Sequence, residues 1–198
     1  MQRVWKPVVC VAVLMALTAC RSEAGGVKVG DAAPNWKGIV GIDDRQHGLA
    51  DYAQAKLVVL VFTCNHCPVA VDYEERLVAL HKDYKDKGVQ IVAVNVNTME
   101  ADRLDKMKER AAAKGFQFPY LYDETQAIGR DYGAVKTPQV FVLGPDRKIV
   151  YTGAIDDNRK VGAVTKHYLR DALEALLAGK KPPEAETTAF GCGIKYDK

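Results

Sequence analysis

The residues best suited to chemistry are Cys64 and Cys67, which are separated by Asn65 and His66. Two cysteines at this spacing close a small disulfide ring or bind a soft metal ion. The pair comes where an apolar run, Leu57–Phe62, stops and a helical pattern begins. The free N–H groups and the dipole of a helix N-terminus stabilise a negative charge, so a thiolate there has a lowered pKa. Spacing and context therefore predict a dithiol that exchanges electrons.

The two cysteines are expected to have different roles. Cys64 lies at the start of the helix, where exposure and the helix dipole favour the thiolate, so it is the predicted nucleophile. Cys67 lies one turn further in, and we expect it to be less accessible and to resolve the mixed disulfide. His66 would stabilise the Cys64 thiolate as an imidazolium. The alternative for His66 is an inert, solvated side chain.

The N-terminal segment 1–19 has the pattern of an export signal: Arg3 and Lys6 precede an apolar core too short for a comfortable membrane span of ~20 residues. Small residues lead into Cys20, which resembles the bacterial lipoprotein cleavage box. That resemblance implies cleavage before Cys20 and lipidation there, hence an anchor on the periplasmic side of the envelope. Arg21, where sorting rules would place Asp, favours the outer membrane. The alternative is an ordinary signal with incidental cysteines.

Composition limits the classes of partner. The chain has 28 Lys and Arg against 25 Asp and Glu, and no basic block interleaved with aromatic residues, so no nucleic-acid partner is expected. The length suits one domain with a full core. The predicted organisation is a signal at 1–19, a tether at 20–29, a domain at 30–179 and a cysteine-containing tail at 180–198.

Hydrophobic periodicity predicts the elements that must position the cysteines. A small N-terminal hairpin turns at Gly41–Asp44. The predicted strands are Leu57–Phe62, Val89–Val96, Phe118–Tyr122, Gln139–Leu143 and Lys148–Thr152, and the predicted helices are Pro68–Lys87, Thr98–Lys114, Glu124–Tyr132 and Thr165–Leu177. This order predicts an α/β sandwich with a mixed sheet and a right-handed first crossover. The cysteine pair then lies at the carboxyl end of the first core strand, where open α/β sheets carry their sites.

Several segments resemble the thioredoxin-fold redoxin family, in the branch of alkyl-hydroperoxidase-like (AhpC/TSA) and TlpA-like proteins. The resemblance runs from about 29 to 177, and a helix inserted before Phe118 is typical of redoxins. The matching segments are Gly30–Pro34, Leu57–Phe62 leading into the CxxC, Val92–Asn95, Phe116–Asp123 and Tyr132–Phe141. The resemblance implies a thioredoxin-like fold with a central mixed sheet flanked by helices, the inserted helix and an N-terminal hairpin.

The family resemblance also assigns roles near the cysteines. Thr137-Pro138 matches the family's cis-proline loop, which implies that this loop faces the CxxC and that Thr137 pairs its backbone with a substrate beside Cys64. The alternative is an ordinary proline that opens a strand. A histidine at the position of His66 is found in the oxidising members of the superfamily, which implies a raised reduction potential.

Two positions depart from the family patterns. Val58 stands where thioredoxin has a buried acid that assists its second cysteine, so fast reductase action is not expected. Val61 stands three residues before Cys64, where peroxiredoxins have a hydroxyl residue, although Thr63 is adjacent. The expectation of peroxidase activity is therefore weakened.

Cys192 lies between two glycines in the tail, and an odd thiol in an exported protein needs an explanation. Three roles stay open. Cys192 acts as a third redox thiol, completes a Cu(I) site with Cys64 and Cys67, or is a free surface thiol.

The leading hypothesis is a lipid-anchored, cell-envelope thiol–disulfide oxidoreductase. Its partners are protein thiols and disulfides, and its redox centre is the Cys64–Cys67 disulfide without a further cofactor. One alternative is a Sco-like Cu(I) metallochaperone that uses Cys64, Cys67 and Cys192. The other is a thiol-dependent peroxidase of the peroxiredoxin-like type.

Overall fold

The computed structural model describes residues 26–197, so the signal segment and Cys20 lie outside the described residues. Within that range the strands are β1 Ile39–Gly41, β2 Gln46–His47, β3 Leu57–Phe62, β4 Val89–Asn95, β5 Tyr120–Tyr122, β6 Lys136–Thr137, β7 Gln139–Leu143, β8 Ile149–Gly153 and β9 Cys192–Gly193. The α-helices are α1 Pro68–Tyr84, α2 Leu104–Lys114, α3 Ala127–Tyr132 and α4 Tyr168–Leu177. Among these helices none is long and apolar enough to cross a bilayer.

Seven strands form one mixed sheet in the order β2-β1-β5-β4-β3-β7-β8. Strands β3, β4 and β5 are parallel, whereas β7 and β8 return antiparallel beside β3 and the hairpin β1–β2 adds antiparallel to β5. Every residue of β3 is buried because both faces of the sheet are covered. The mixed sheet flanked by helices, with an N-terminal hairpin and the inserted helix α2, confirms the predicted thioredoxin-like fold.

Two hydrophobic layers cover the sheet. Helices α1, α2 and α4 pack on one face, and α3 packs with the N-terminal segment on the other. The buried side chains of the first layer include Tyr73, Leu77, Met107, Leu169 and Leu173, and those of the second include Trp36, Leu49, Val58, Ile128 and Tyr132. Core burial on both faces holds the carboxyl ends of β3 and β4 in place, and the cysteines follow β3.

Three helices begin later than the sequence predicts. The helix predicted from Thr98 begins at Leu104, because Glu100–Asp102 form a separate 3-10 turn and Arg103 is extended. Helix α3 begins at Ala127 after the Asp123 carboxylate accepts the backbone N–H groups of Thr125 and Ile128. Helix α4 begins at Tyr168, since Asp157 holds the N–H of Thr165 at 2.9 Å in a turn outside the helix. Side-chain acceptors compete with the helix for these donors.

Most of the described part of the tail, 180–197, is irregular. It nevertheless contains the short strand β9, which pairs antiparallel with β6. The register joins Thr137 to Cys192 and Lys136 to Gly193. Strand β9 has two residues, one of them a glycine, which are too few to show an alternating pattern. The local sequence therefore gives no signal for a strand.

Candidate active site

Helix α1 presents its first free N–H groups to Cys67. Cys67 is the N-cap residue, Pro68 occupies the first turn, and the Cys67 sulfur accepts the N–H of Ala70 at 3.4 Å. Proline fits the first turn because its missing N–H would have no helical partner there. The helix dipole therefore acts most directly on Cys67, whereas the sequence had placed Cys64 at this position.

Both cysteines are buried. Cys64 is 2% exposed and Cys67 is fully buried. The expectation that Cys64 is exposed is wrong, because the Thr137–Pro138 loop and the tail cover it. The Cys64 sulfur lies 3.3 Å from Thr137 Oγ1, and the Cys67 sulfur lies 3.3 Å from the carbonyl oxygen of Thr137.

The charge of the reduced pair resides on Cys67. A hydrogen bond from the Cys64 thiol lowers the pKa of Cys67 to about 4, against the opposing effect of burial, and donors from Cys192 and the Ala70 N–H add to the lowering. The pKa of Cys64 is raised by the same hydrogen bond and by burial. The Thr137 carbonyl favours a protonated Cys67, because it can only accept a hydrogen bond. The donors from Cys64, Cys192 and Ala70 favour the thiolate and outweigh this one contact. The hydrogen bonds of this conformation therefore favour a thiolate at Cys67, whereas the sequence analysis predicts it at Cys64.

The Thr137–Pro138 loop faces the cysteine pair, as the resemblance implied. The bond between the two residues is cis. Thr137 is 2% exposed and contacts both sulfurs, through its hydroxyl to Cys64 and its carbonyl to Cys67. Its position beside the pair makes it a binding residue for whatever chain lies along this edge.

The chain that lies along this edge is the tail. Cys192 pairs opposite Thr137 and packs against the buried cluster that contains Cys64 and Cys67. Burial raises the pKa of Cys192, and its interaction with the Cys67 thiolate raises it further. The structure thus brings all three thiols together.

Asn65 and His66 are fixed by a side chain that sequence reasoning missed. Asp102 is buried and accepts the backbone N–H groups of Asn65 at 2.8 Å and His66 at 3.2 Å, while His66 Nδ1 hydrogen-bonds to its second oxygen. Asn65 also donates to the carbonyl of Ala101 and accepts from Tyr120 OH at 3.1 Å. The Asn-His spacer is therefore held by the segment that leads into α2.

Asp102 supplies a buried carboxylate near the pair, although Val58 carries none. Val58 and Val61 are both fully buried in the core on opposite faces of β3. The charge of Asp102 adds to the raised pKa of Cys64. No sequence signal could have found it, because an aspartate in a charged segment is usually exposed.

The metal hypothesis finds little support in the donor geometry. Within residues 26–197, one group has three ligand atoms within 4.8 Å of one another, and it joins Cys64 with His66 and Asp102 rather than with Cys67 and Cys192. The carboxylate of that group already accepts three N–H donors, and a carboxylate is a poor ligand for Cu(I). The group fits a hydrogen-bonded cluster better than a copper site.

A cation lies beside the thiols. Arg159 binds Asp72 and the carbonyl of Pro68, and its charge lowers the pKa of Cys192 against the larger effect of burial. Arg159 comes from the loop before α4, and no local sequence pattern connects it with the site. It places positive charge next to the half-buried thiol Cys192.

Comparisons with solved structures identify proteins of similar fold. An uncharacterized conserved protein from Geobacillus kaustophilus is 38% identical, with 86% of this chain and 93% of that chain covered and a TM-score of 0.81. A hypothetical protein from Sinorhizobium meliloti is 30% identical over 87% and 97% of the two chains, also with a TM-score of 0.81. The thioredoxin domain of a thiol-disulfide oxidoreductase from Bacteroides vulgatus shares the fold at 20% identity, with coverages of 64% and 89% and a TM-score of 0.54.

No curated protein matches the chain. A family model does: the AhpC/TSA family matches residues 29–152, which is more than half of the sequence. The chain, with its mixed sheet and helix-capping CxxC, belongs to the AhpC/TSA family of thioredoxin-fold redoxins.

Proposed function

We propose that the protein is a thiol–disulfide oxidoreductase of the cell envelope that exchanges electrons with protein thiols. One observation carries the proposal: Cys64 and Cys67 lie in one buried cluster at the N-terminus of α1. A thiolate attacks a disulfide, and a second thiol in contact with it resolves the mixed disulfide. The pair supplies both groups within one turn of the start of α1.

The reaction balances between the pair and its partner. One protein thiolate attacks a sulfur of the partner's disulfide, and the partner's other sulfur leaves as a thiolate. The second protein thiol then closes the Cys64–Cys67 disulfide and releases the partner fully reduced. Two electrons pass to the partner, and the reverse sequence oxidises a partner dithiol.

Disulfide transfer to a peptide with two cysteines tests this function. Oxidised protein should convert the reduced peptide to its disulfide, which mass spectrometry detects as the loss of two alkylation sites. Cys67→Ser, which removes the cysteine common to the possible disulfides, should abolish disulfide transfer to the peptide. A peptide that stays reduced in the presence of the oxidised wild-type protein would contradict the proposal.

A thiol-dependent peroxidase is the second candidate, favoured by one contact. The hydroxyl absent from Val61 is supplied by Thr137, whose Oγ1 lies 3.3 Å from the Cys64 sulfur. Burial and a raised pKa oppose attack by Cys64 on a peroxide. Consumption of hydrogen peroxide with dithiothreitol as donor, faster than disulfide transfer and lost in Thr137→Val, would promote this candidate.

The envelope location rests on the segment that ends at Cys20. We propose lipidation of Cys20 after cleavage, which tethers the domain to the membrane. Incorporation of labelled fatty acid into the expressed protein should be lost in Cys20→Ala and retained in Cys10→Ala. Labelling that persists in Cys20→Ala would contradict the anchor.

A further inference from the structure

The tail occupies the backbone edge that the fold offers to an incoming chain. Residues 190–194, here called the docked strand, run antiparallel to Lys136–Thr137, and the N–H of Ile194 donates to the carbonyl of Val135 at 3.0 Å. Gly191 approaches so closely that an added Cβ would lie 2.1 Å from the carbonyl oxygen of Thr137. Main-chain pairing of this kind is how sheet edges bind extended peptides.

The docked strand is held on both sides of Cys192. Upstream, Thr187 Oγ1 lies 2.7 Å from Tyr151 OH and accepts the N–H of Ala154 at 2.9 Å. Downstream, Tyr196 OH donates to the carbonyl of Ala134 at 2.6 Å. Anchors at both ends set the position of the intervening thiol, so Cys192 is presented to the pair by the fold.

Cys192 is also the thiol that solvent reaches. It is half-buried, whereas Cys64 and Cys67 are 2% and 0% exposed. A partner sulfur must approach along the line of the S–S bond that it breaks, and both buried sulfurs are covered by the docked strand and Thr137. An external partner protein therefore reaches Cys192 before it reaches either buried cysteine.

We propose that Cys192 occupies the place of a substrate cysteine and is the thiol through which the buried pair exchanges with partner dithiols. The proposal rests on the thiol–disulfide function proposed above. It adds a second disulfide, Cys67–Cys192, to the redox states of the protein. The partner is a protein dithiol that needs no access to the Thr137 edge.

The first step moves the disulfide within the protein. The Cys192 thiolate attacks the Cys67 sulfur of the Cys64–Cys67 disulfide, the Cys67–Cys192 bond forms, and Cys64 leaves as a thiolate that takes up a proton. No electrons enter or leave in this step. Cys67 is common to both disulfides, in agreement with its contacts to both other thiols.

The second step transfers the disulfide outward. A partner thiolate attacks the Cys192 sulfur, the Cys67–Cys192 bond breaks, and Cys67 leaves as a thiolate. The partner's second thiol loses its proton, attacks the partner sulfur of the mixed disulfide and releases Cys192, which is protonated. The partner loses two electrons and the protein gains two. An external disulfide such as oxidised glutathione reverses the sequence and regenerates the protein.

The electrostatics of the three thiols favour the second step. The lowered pKa of Cys67 makes it a good leaving group, and thiols of low pKa leave faster. The raised pKa of Cys192 favours its protonation on release.

Disulfide mapping in the full-length protein tests the inference. In a glutathione redox buffer, the Cys64→Ser variant should close Cys67–Cys192, because Cys192 packs against the buried cluster that contains Cys67. The Cys192→Ser variant should still close Cys64–Cys67 but should exchange with a dithiol peptide about tenfold more slowly or worse, since direct attack then needs a local opening. Wild-type exchange in Cys192→Ser, together with a Cys64→Ser protein that stays glutathionylated, would overturn the inference.

These outcomes separate the two proposals. If the wild-type protein forms no Cys64–Cys67 disulfide, the oxidoreductase function itself fails. If it forms that disulfide and Cys192 takes no part, only the relay fails.

A matched pair of glycine variants tests the docked strand without removing a thiol. Gly191→Ala should displace the strand, because its Cβ meets backbone and Gly191 has a positive φ, whereas Gly162→Ala meets nothing within 4 Å. We expect Gly191→Ala to lose Cys67–Cys192 closure in the Cys64→Ser background and to alkylate Cys64 about tenfold faster in the otherwise wild-type protein. Gly162→Ala should change neither. Closure and alkylation at wild-type levels in Gly191→Ala would contradict the docking.

Discussion

Asp102→Asn is the substitution that most strongly probes how the site is held together. The carboxylate of Asp102 is buried and accepts three N–H donors from the Asn65–His66 spacer, two from the backbone and one from the His66 ring. An asparagine of the same size has one oxygen instead of two, and its NH₂ group must face donors. Hydrogen bonds to a charged group contribute about 1.5–3 kcal/mol each, and the amide oxygen keeps part of them.

We expect Asp102→Asn to lower the free energy of unfolding of the reduced protein by about 3 kcal/mol. For a domain of this size that corresponds to a fall in melting temperature of roughly 6–12 °C. The assay is thermal and guanidinium unfolding followed by circular dichroism. Asp131→Asn, at an exposed aspartate, is the control and should stay within about 0.5 kcal/mol of wild type.

The same variant has a chemical readout. The hydrogen bond to Cys67 and burial raise the pKa of Cys64 most, and the charge of Asp102 raises it further. Removing that charge should lower the pKa of Cys64 and speed its alkylation relative to Asp131→Asn. Unchanged stability together with unchanged alkylation would refute the reasoning that Asp102 organises the site.

Three further predictions concern the pair and its spacer. The ultraviolet absorbance of the thiolate in the reduced protein should persist until pH falls to about 4. Cys64→Ala should raise the pH at which this absorbance is lost, because the main hydrogen-bond donor to Cys67 is removed. Loss of the absorbance in the wild-type protein near the ordinary pKa of 9.0 would contradict the assignment of the thiolate to Cys67. The pKa of Cys67 is lower in the folded than in the unfolded protein, so its thiolate stabilises the reduced protein fully above about pH 9, and this stabilisation is lost as pH falls to about 4. Cys64 stays protonated throughout that window. His66→Pro removes both the ring and an N–H donor to Asp102, and it should make the Cys64–Cys67 couple more reducing by about 30 mV or more. His66→Gln, which keeps the backbone N–H, is the control. An equal reduction potential in His66→Pro and wild type would show that His66 does not tune the site.

Local signals predicted the central strands best. The sequence bounds of Leu57–Phe62 and Gln139–Leu143 agree with β3 and β7 at both ends, because continuous apolar runs that stop at polar or turn residues leave little choice. Helix starts were less predictable. Their positions depend on acceptors such as Asp123 and Asp157, whose side chains compete for N–H groups outside the helix.

Part of the candidate site was likewise predictable from local sequence, and part was not. Cys64, Cys67 and Thr137 were placed together by their motifs, and the structure confirms the juxtaposition. Asp102 and Cys192 reach the site through contacts far apart in sequence, which no periodicity encodes. The same long-range packing buries Cys64, which its position before the helix does not predict.

Cys64 and Cys67 are proposed to form a reversible two-electron couple. Equilibration of the full-length protein across a series of glutathione redox buffers, followed by acid quenching, alkylation and peptide mapping, examines this couple without any substitution. We expect the Cys64–Cys67 disulfide to form and to be reduced along a single two-electron curve, approached from either direction. A pair that stays reduced, or that is oxidised only irreversibly to sulfinic or sulfonic acid, across the whole series would contradict it.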